Sequence, residues 1–162
     1  MELYLIRHGI AVARTNDIED EKRSLTQVGH QKTRQVAKRL QELSLQFDLI
    51  LTSPLVRSRQ TAEILRTSGL SSEVEESTYL APGGDINAWL KSLEQRHQFP
   101  ETLALVGHQP DLGQWAEILI WGEARDKLLL KKAGIIGLTL PKTGSLVGRS
   151  QLFWLTPPKF LL

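Results

Sequence analysis

Three short apolar runs, Leu3 to Ile6, Leu49 to Leu51 and Leu103 to Val106, constrain this chain more than any other feature. Runs of that length without polar alternation suit strands covered on both faces, as in a parallel sheet, and each is followed by a helical pattern. The alternation predicts an α/β fold, a three-layer α/β/α sandwich around a mostly parallel central sheet. With 162 residues and 41% hydrophobic content the chain can bury one good core, so a single domain over residues 1–162 is expected.

Four helices follow from the punctuation between the runs. Ser53 before Pro54 predicts an N-cap with proline at the first helical position, and Ala62 and Leu65 carry an apolar stripe to about Thr67. Thr26 predicts the cap of a helix reaching about Leu43, with Val36, Leu40 and Leu43 on one face. Asp85 precedes Ile86, Trp89, Leu90 and Leu93, an amphipathic spacing bounded by Pro100. Pro110 and Asp111 introduce Leu112, Trp115, Ala116 and Leu119 at the same spacing, with Gly122 as the stop. Ile135 to Leu140 and Leu146 to Leu155 then flank the turn residues Pro141 to Gly144, which predicts a C-terminal β-hairpin ended by Pro157-Pro158. Ser71 to Ser77 and Ala81 to Gly84 read as surface loops, the second a candidate pocket rim.

Charge and composition remove several classes of function. Lys plus Arg total 20 against 18 Asp plus Glu, and a net charge of +2 is too small to serve as a nucleic-acid footprint. The absence of cysteine excludes disulfides, zinc-thiolate sites and thiol nucleophiles. Arg7 interrupts the first apolar run, no signal peptide is read, and no run approaches the ~20 apolar residues of a membrane span. A cytoplasmic protein is expected, with no nucleic-acid or membrane partner and no need of more than a monomer.

In open α/β sheets ligands bind beyond the carboxyl ends of the strands, so the residues after each run carry the functional information. The first run ends in Arg7-His8-Gly9, the second leads through Thr52-Ser53-Pro54 to Arg57, and the third ends in Gly107-His108. Arginine is permanently charged and offers a planar fork of donors suited to phosphate oxygens, so Arg7 and Arg57 are candidate phosphoryl clamps. Arg57 falls in the first turn of its helix, where free N–H groups and the helix dipole add attraction for an anion. A neutral imidazole can attack phosphorus, and His8 on the strand end, followed by side-chain-free Gly9, is the nucleophile candidate. His108 is the candidate second donor to the transferring group.

Plainer readings accompany these. Taken alone, His108 is more often a structural histidine and Arg57 a solvated one; their common position at strand ends is what favours a site. His30 and His97 fall in or near predicted helices and read as solvated surface. Zinc held by His8 and His108 would lack an HxH or HExxH spacing and a third ligand, so no metal and no cofactor are expected.

Four blocks together carry a resemblance: Leu3-Tyr4-Leu5-Ile6-Arg7-His8-Gly9; Leu25-Thr26-x-x-Gly29; Thr52-Ser53-Pro54-Leu55-x-Arg57-Ser58-x-Gln60-Thr61-Ala62; and Val106-Gly107-His108. In this order the chain resembles the histidine phosphatase superfamily, also called phosphoglycerate mutase-like, over roughly residues 1 to 120. Its small size, Arg23-Ser24-Leu25-Thr26, Leu80-Ala81-Pro82-Gly83-Gly84-Asp85 and Gly107-His108-Gln109-Pro110 are most similar to the SixA-type phosphohistidine phosphatases. The resemblance implies a phosphoglycerate mutase-like fold, phosphorylation of His8, and phosphate binding by Arg7, Arg57 and His108 without a metal. It also implies Arg23 at the pocket mouth and makes Gly9, Ser53 and Gly107 candidate substrate-binding positions. Larger members place a glutamate after the second arginine helix to protonate the leaving group, whereas Tyr79 to Asp85 contains none in a matching motif. Asp85 is the weak substitute, its other role being a helix cap.

Three functions therefore stand. The first is a phosphatase acting on phosphohistidine in a protein such as a histidine phosphotransfer domain, since imidazole leaves more readily than an alkoxide and needs no strong acid. The second is a small-molecule phosphomonoesterase on the same scaffold. The third is a non-catalytic phosphate-binding module.

Overall fold

Leu3 and Leu5 face one side of the central sheet while Tyr4 and Ile6 face the other, and all are 6% exposed or less. Two-sided burial of this kind explains why the first run shows no polar alternation. In the computed structural model, which describes residues 1–162, the sheet has six strands: β1 (Glu2–Arg7), β2 (Leu49–Thr52), β3 (Val74–Glu76), β4 (Thr102–Gly107), β5 (Ile135–Thr139) and β6 (Gln151–Thr156). Their order is β3-β2-β4-β1-β5-β6. The first four are parallel, β5 runs antiparallel to β1, and β6 antiparallel to β5.

Four helices cover the two faces: α1 (Gln27–Glu42), α2 (Val56–Thr67), α3 (Ile86–Glu94) and α4 (Asp111–Trp121). Leu3, Leu5, Leu51 and Leu105 form one core with Trp89 and Leu93 of α3 and Leu112, Trp115 and Leu119 of α4. Tyr4, Ile6, Ile50 and Val106 form the other with Val36, Ala37 and Leu40 of α1 and Ala62, Ile64 and Leu65 of α2. This is the three-layer α/β/α sandwich with a mostly parallel sheet, closed by the antiparallel β5–β6 pair. No helix is long and apolar enough to cross a membrane.

The elements differ from the sequence expectations at four places, each with a local cause. Helix α2 begins at Val56, because the Ser53 hydroxyl accepts from the Leu55 N–H and bonds His108, leaving Ser53 and Pro54 outside the helix. Helix α1 stops at Glu42, and Leu43 turns to solvent at 46% exposure instead of joining Val36 and Leu40. Ser71 to Ser77 is not all loop but contains β3, an edge strand whose two glutamates are exposed and which therefore lacks an apolar run. Strand β6 begins at Gln151, not Leu146, because Gly148 and Ser150 donate their N–H groups to the α4 carbonyls of Ile118 and Leu119 and so cannot pair with β5.

The cap of α1 ties this helix to the segment leaving β1. Thr26 donates its N–H to the Ile10 carbonyl at 2.9 Å, and its hydroxyl accepts from the Gly29 N–H at 2.9 Å. A Cβ on Gly29 would lie 2.0 Å from that same carbonyl oxygen, so only glycine lets the helix approach Ile10. Glycine to alanine inside a helix ordinarily stabilises by about 0.5–1 kcal/mol. Here Gly29→Ala is expected to lower the unfolding free energy by about 1–3 kcal/mol, measured by urea denaturation, because the clash is with backbone. A gain in stability would show that the Ile10 segment yields freely.

Candidate active site

Strands β1 and β4 pair with Arg7 opposite Gly107, so His8 and His108 emerge side by side at the carboxyl end of the sheet. Their ring centroids are 5.2 Å apart at an interplanar angle of 57°. Arg57, one residue into α2, reaches between them from the adjoining β2 crossover. Its Nε donates to His8 Nε2 at 3.2 Å, and its Nη2 lies 3.4 Å from His108 Nδ1. His8, Arg57 and His108 are only 6%, 3% and 4% exposed, so these contacts are made largely out of water.

The surrounding groups fix the tautomers. The His8 Nδ1 lies 2.7 Å from the Gly9 carbonyl, which only accepts, so Nδ1 carries the proton and Nε2 keeps its lone pair toward Arg57. The His108 Nδ1 faces the Arg57 guanidinium, which only donates, leaving His108 Nε2 to donate to Ser53 Oγ at 2.8 Å. Burial, with the charges of His108, Arg57 and Arg7 adding to it against the Gly9 carbonyl, pushes the His8 imidazole down to about 3. Burial and then the Arg57 charge push His108 down to about 4. Both rings are neutral at pH 7.

The polar residues around Arg57 hold this arrangement in place. Thr61 Oγ1 donates to the Arg57 carbonyl at 2.8 Å and accepts the Gly9 N–H at 3.0 Å, joining α2 to the loop after β1. Gln60 Oε1 accepts the Leu25 N–H at 2.7 Å, and Ser58 Oγ lies 3.4 Å from His108 Nε2. A Cβ on Gly9 would sit 2.4 Å from Thr33 Oγ1, so this position is closed to larger residues by α1.

Arg7 is half-buried beside the histidines, with Nη1 donating to the Leu130 carbonyl at 2.9 Å. Its Nε is buried with no protein partner. Gly107 accepts the His8 N–H at 3.0 Å through its carbonyl. Arg23 is held at the edge by Asp20 and the Val12 carbonyl, each at 2.9 Å, and does not touch either histidine. Asp85 is exposed and accepts the Asn87 N–H at 2.8 Å as the cap of α3, with no bond to the His8 cluster. His97 is exposed as expected, whereas His30 is half-buried with its Nδ1 unpartnered. Helix α1 and neighbouring α2 shield it, contrary to the solvated reading.

Asp20 was missed from sequence. Its Oδ2 lies 3.1 Å from Arg57 Nη2, its carbonyl accepts Arg57 Nη1 at 2.7 Å, and its Oδ1 also faces Arg23 and Arg14. Burial alone would raise the Asp20 carboxyl, but Arg23 and Arg57 together hold it below the usual carboxylate range. The one signal available was the i, i+3 spacing of Asp20 and Arg23 in an acidic loop, which is commonplace on surfaces. No group of three or more His, Cys, Asp or Glu side chains comes together as a metal site.

Chemically, the cluster offers an unprotonated, oriented imidazole nitrogen in contact with the Arg57 guanidinium and within the field of Arg7. A phosphate dianion placed among them would find free donors, and its charge would favour protonation of His108 at the nitrogen facing it.

A sequence model of the histidine phosphatase superfamily (branch 1) matches residues 3–81. An uncharacterized protein of Picosynechococcus sp. is 49% identical over 167 residues, covering 100% of this chain and 99% of that protein. Phosphohistidine phosphatase SixA of Escherichia coli (strain K12) is 27% identical, with 90% of this chain and 89% of SixA covered. The structure of the protein histidine phosphatase SixA complexed with tungstate superimposes with a TM-score of 0.83 at 26% identity, over 100% of both chains.

The neutral histidines make a pH signature. Their native values lie below the unfolded value of about 6.5, so as pH falls the unfolded chain takes up protons first and stability declines. Ring nitrogen shifts of His8 and His108 are expected to stay constant from pH 8 to about 5 in an NMR titration. Over the same range, wild type should lose more unfolding free energy than a His8→Ala/His108→Ala variant. A ring transition near pH 6.5 would contradict the buried, neutral assignment.

Proposed function

Because the chain belongs to the histidine phosphatase superfamily, we propose that it is a phosphohistidine phosphatase, removing the phosphoryl group from a protein histidine through a covalent phospho-His8 intermediate. The observation that carries this reading is the His8 Nε2 lone pair, locked by the Nδ1 bond to Gly9 and facing the Arg57 guanidinium at 3.2 Å. Likeness to SixA in sequence and structure supports the substrate class.

In the first step the Nε2 lone pair of His8 attacks phosphorus. The bond between phosphorus and the substrate imidazole breaks, its electron pair returning to the substrate nitrogen. A substrate ring already protonated on its other nitrogen departs as neutral imidazole and takes no proton from the enzyme. In the second step water attacks phosphorus, the bond to His8 breaks, and orthophosphate leaves with His8 restored. Arg7, Arg57 and His108 donate to the phosphoryl oxygens in both steps, which is where catalysis of phosphoryl transfer resides. The route calls on no metal ion.

The leaving group argues for phosphohistidine over a phosphate ester. An alkoxide must be protonated as it leaves. The carboxyl in contact with the cluster, Asp20, is held ionised by its arginines and has no proton to give, while Asp85 is occupied as a helix cap. The partner in this reading is a phosphorylated histidine phosphotransfer domain.

Incubation with such a domain carrying labelled phosphohistidine is expected to release phosphate, with acid-labile label trapped on the wild type. His8→Ala should lose turnover by at least about a thousandfold and carry no label. Asp20→Asn and Asp85→Asn should each retain turnover within about tenfold. Brisk hydrolysis of a sugar phosphate that depends on either carboxylate, without release from any phosphohistidine protein, would transfer the assignment to a phosphomonoesterase.

A further inference from the structure

Glu117 lies in α4 on the far side of the helix from solvent and is 0% exposed, with no cationic side chain against it. Its carboxylate instead accepts four consecutive backbone N–H groups. Arg125 and Asp126 donate to Oε2, the latter at 2.8 Å, and Lys127 and Leu128 donate to Oε1 at 2.5 and 2.6 Å. Burial would raise this carboxyl, but the four donors outweigh it and keep it ionised. A buried anion satisfied entirely by backbone costs desolvation that a neutral side chain would avoid, so the question is what the clamped segment does.

The segment runs without helix or strand from Arg125 to Gly134 and ends on the candidate site. The Leu128 carbonyl accepts Gln109 Nε2 at 3.0 Å, next to His108. The Leu130 side chain is 1% exposed in the core, and its carbonyl accepts Arg7 Nη1 at 2.9 Å. Ala133 then donates to the carbonyls of Arg7 and His8 at 3.0 and 3.2 Å. Leu130 is the sole hydrogen-bond acceptor for the Arg7 guanidinium, whose Nε has none. The direction of Arg7 is therefore set by a loop carbonyl two residues after the last N–H that Glu117 holds.

We propose that Glu117 is a positioning residue for Arg7: its carboxylate gathers the loop after α4 so that the Leu130 carbonyl fixes the guanidinium toward the phosphoryl group. The proposal rests on the reading of Arg7 as a phosphate ligand. Its energy is that of preorganisation, since a guanidinium free to swing must be ordered when the anion binds.

The test is a double-mutant cycle on the affinity for inorganic phosphate, measured by calorimetry on the whole protein. Glu117→Gln keeps the shape but replaces one acceptor oxygen with a donor. It is expected to weaken phosphate binding about five- to tenfold when Arg7 is present, and less than twofold in an Arg7→Ala background. Glu117→Asp, which retains the charge on a shorter stem, should give a smaller effect of the same pattern, and it carries the cycle if the Gln variant does not fold. Thermal melts report general loosening, which should be equal in both backgrounds. The proposal is overturned if phosphate affinity falls by the same factor with and without Arg7, or does not fall at all in a destabilised Glu117 variant. If Arg7→Ala alone leaves phosphate affinity unchanged, the phosphate-ligand reading of Arg7 fails first.

Discussion

The register between β1 and β4 is the constraint on which the rest of the site depends. Leu3 and Leu5 pair with Leu103 and Leu105 inside one core, while Tyr4 and Ile6 pair with Ala104 and Val106 inside the other. A slip of one residue would exchange side chains of different shape between two close-packed cores and draw Glu2 or Arg7 into the buried ladder, so it is disfavoured. Arg7 therefore stands opposite Gly107, and His8 and His108 must leave the sheet together. Bringing two imidazoles to one edge of the sheet is thus a by-product of how two Leu-rich strands fit between two helical layers.

The same burial sets the electrostatics. Water would stabilise imidazolium, but here both rings sit in a dry region beside guanidinium groups, and burial with positive charge drives them neutral. The cluster carries Arg7 and Arg57 with Asp20 as the contacting carboxylate, and Asp20 is shared with Arg23 and Arg14. Such a cluster has positive charge and oriented donors in excess of its own anions. Polar side chains of the Thr52–Ala62 segment hold it together, Ser53 and Ser58 against His108 and Thr61 against the Arg57 carbonyl.

Much of this was legible in the sequence because it rests on strand ends and apolar period. The three runs announced β1, β2 and β4, and the residues following them were the ones the fold brought together. The Thr52–Ala62 motif was visible as a pattern, but the individual tasks of Ser53, Gln60 and Thr61 emerge only once α2 is seen against β4 and the loop after β1. Asp20 and Glu117 were not legible for different reasons. Asp20 acts across 37 residues of chain from a single 3-10 turn, Asp20–Lys22, where one more acidic residue carries no signal. Glu117 occupies a helical position that an apolar stripe would fill with a leucine, and its partners are backbone N–H groups, which have no sequence signature. Strand β3 was missed because an edge strand with solvated glutamates needs no apolar run.

The contact between Arg57 Nε and His8 Nε2 also bears on the rate of the proposed reaction. In the resting site this N–H is spent on the lone pair that must attack, which keeps the ring aligned at 3.2 Å. As Nε2 bonds to phosphorus that lone pair is consumed, and the Arg57 N–H loses its acceptor just as charge gathers on the phosphoryl oxygens beside it. A donor that changes partner along the reaction coordinate binds the transition state better than the ground state, which is the form of interaction that raises kcat and not merely affinity. The other two nitrogens of Arg57 are meanwhile anchored by Asp20, so the Nε–H contact with His8 is the one that must give way as phosphorus takes the lone pair. Asp20 is thereby better placed as an anchor for Arg57 than as a source of protons.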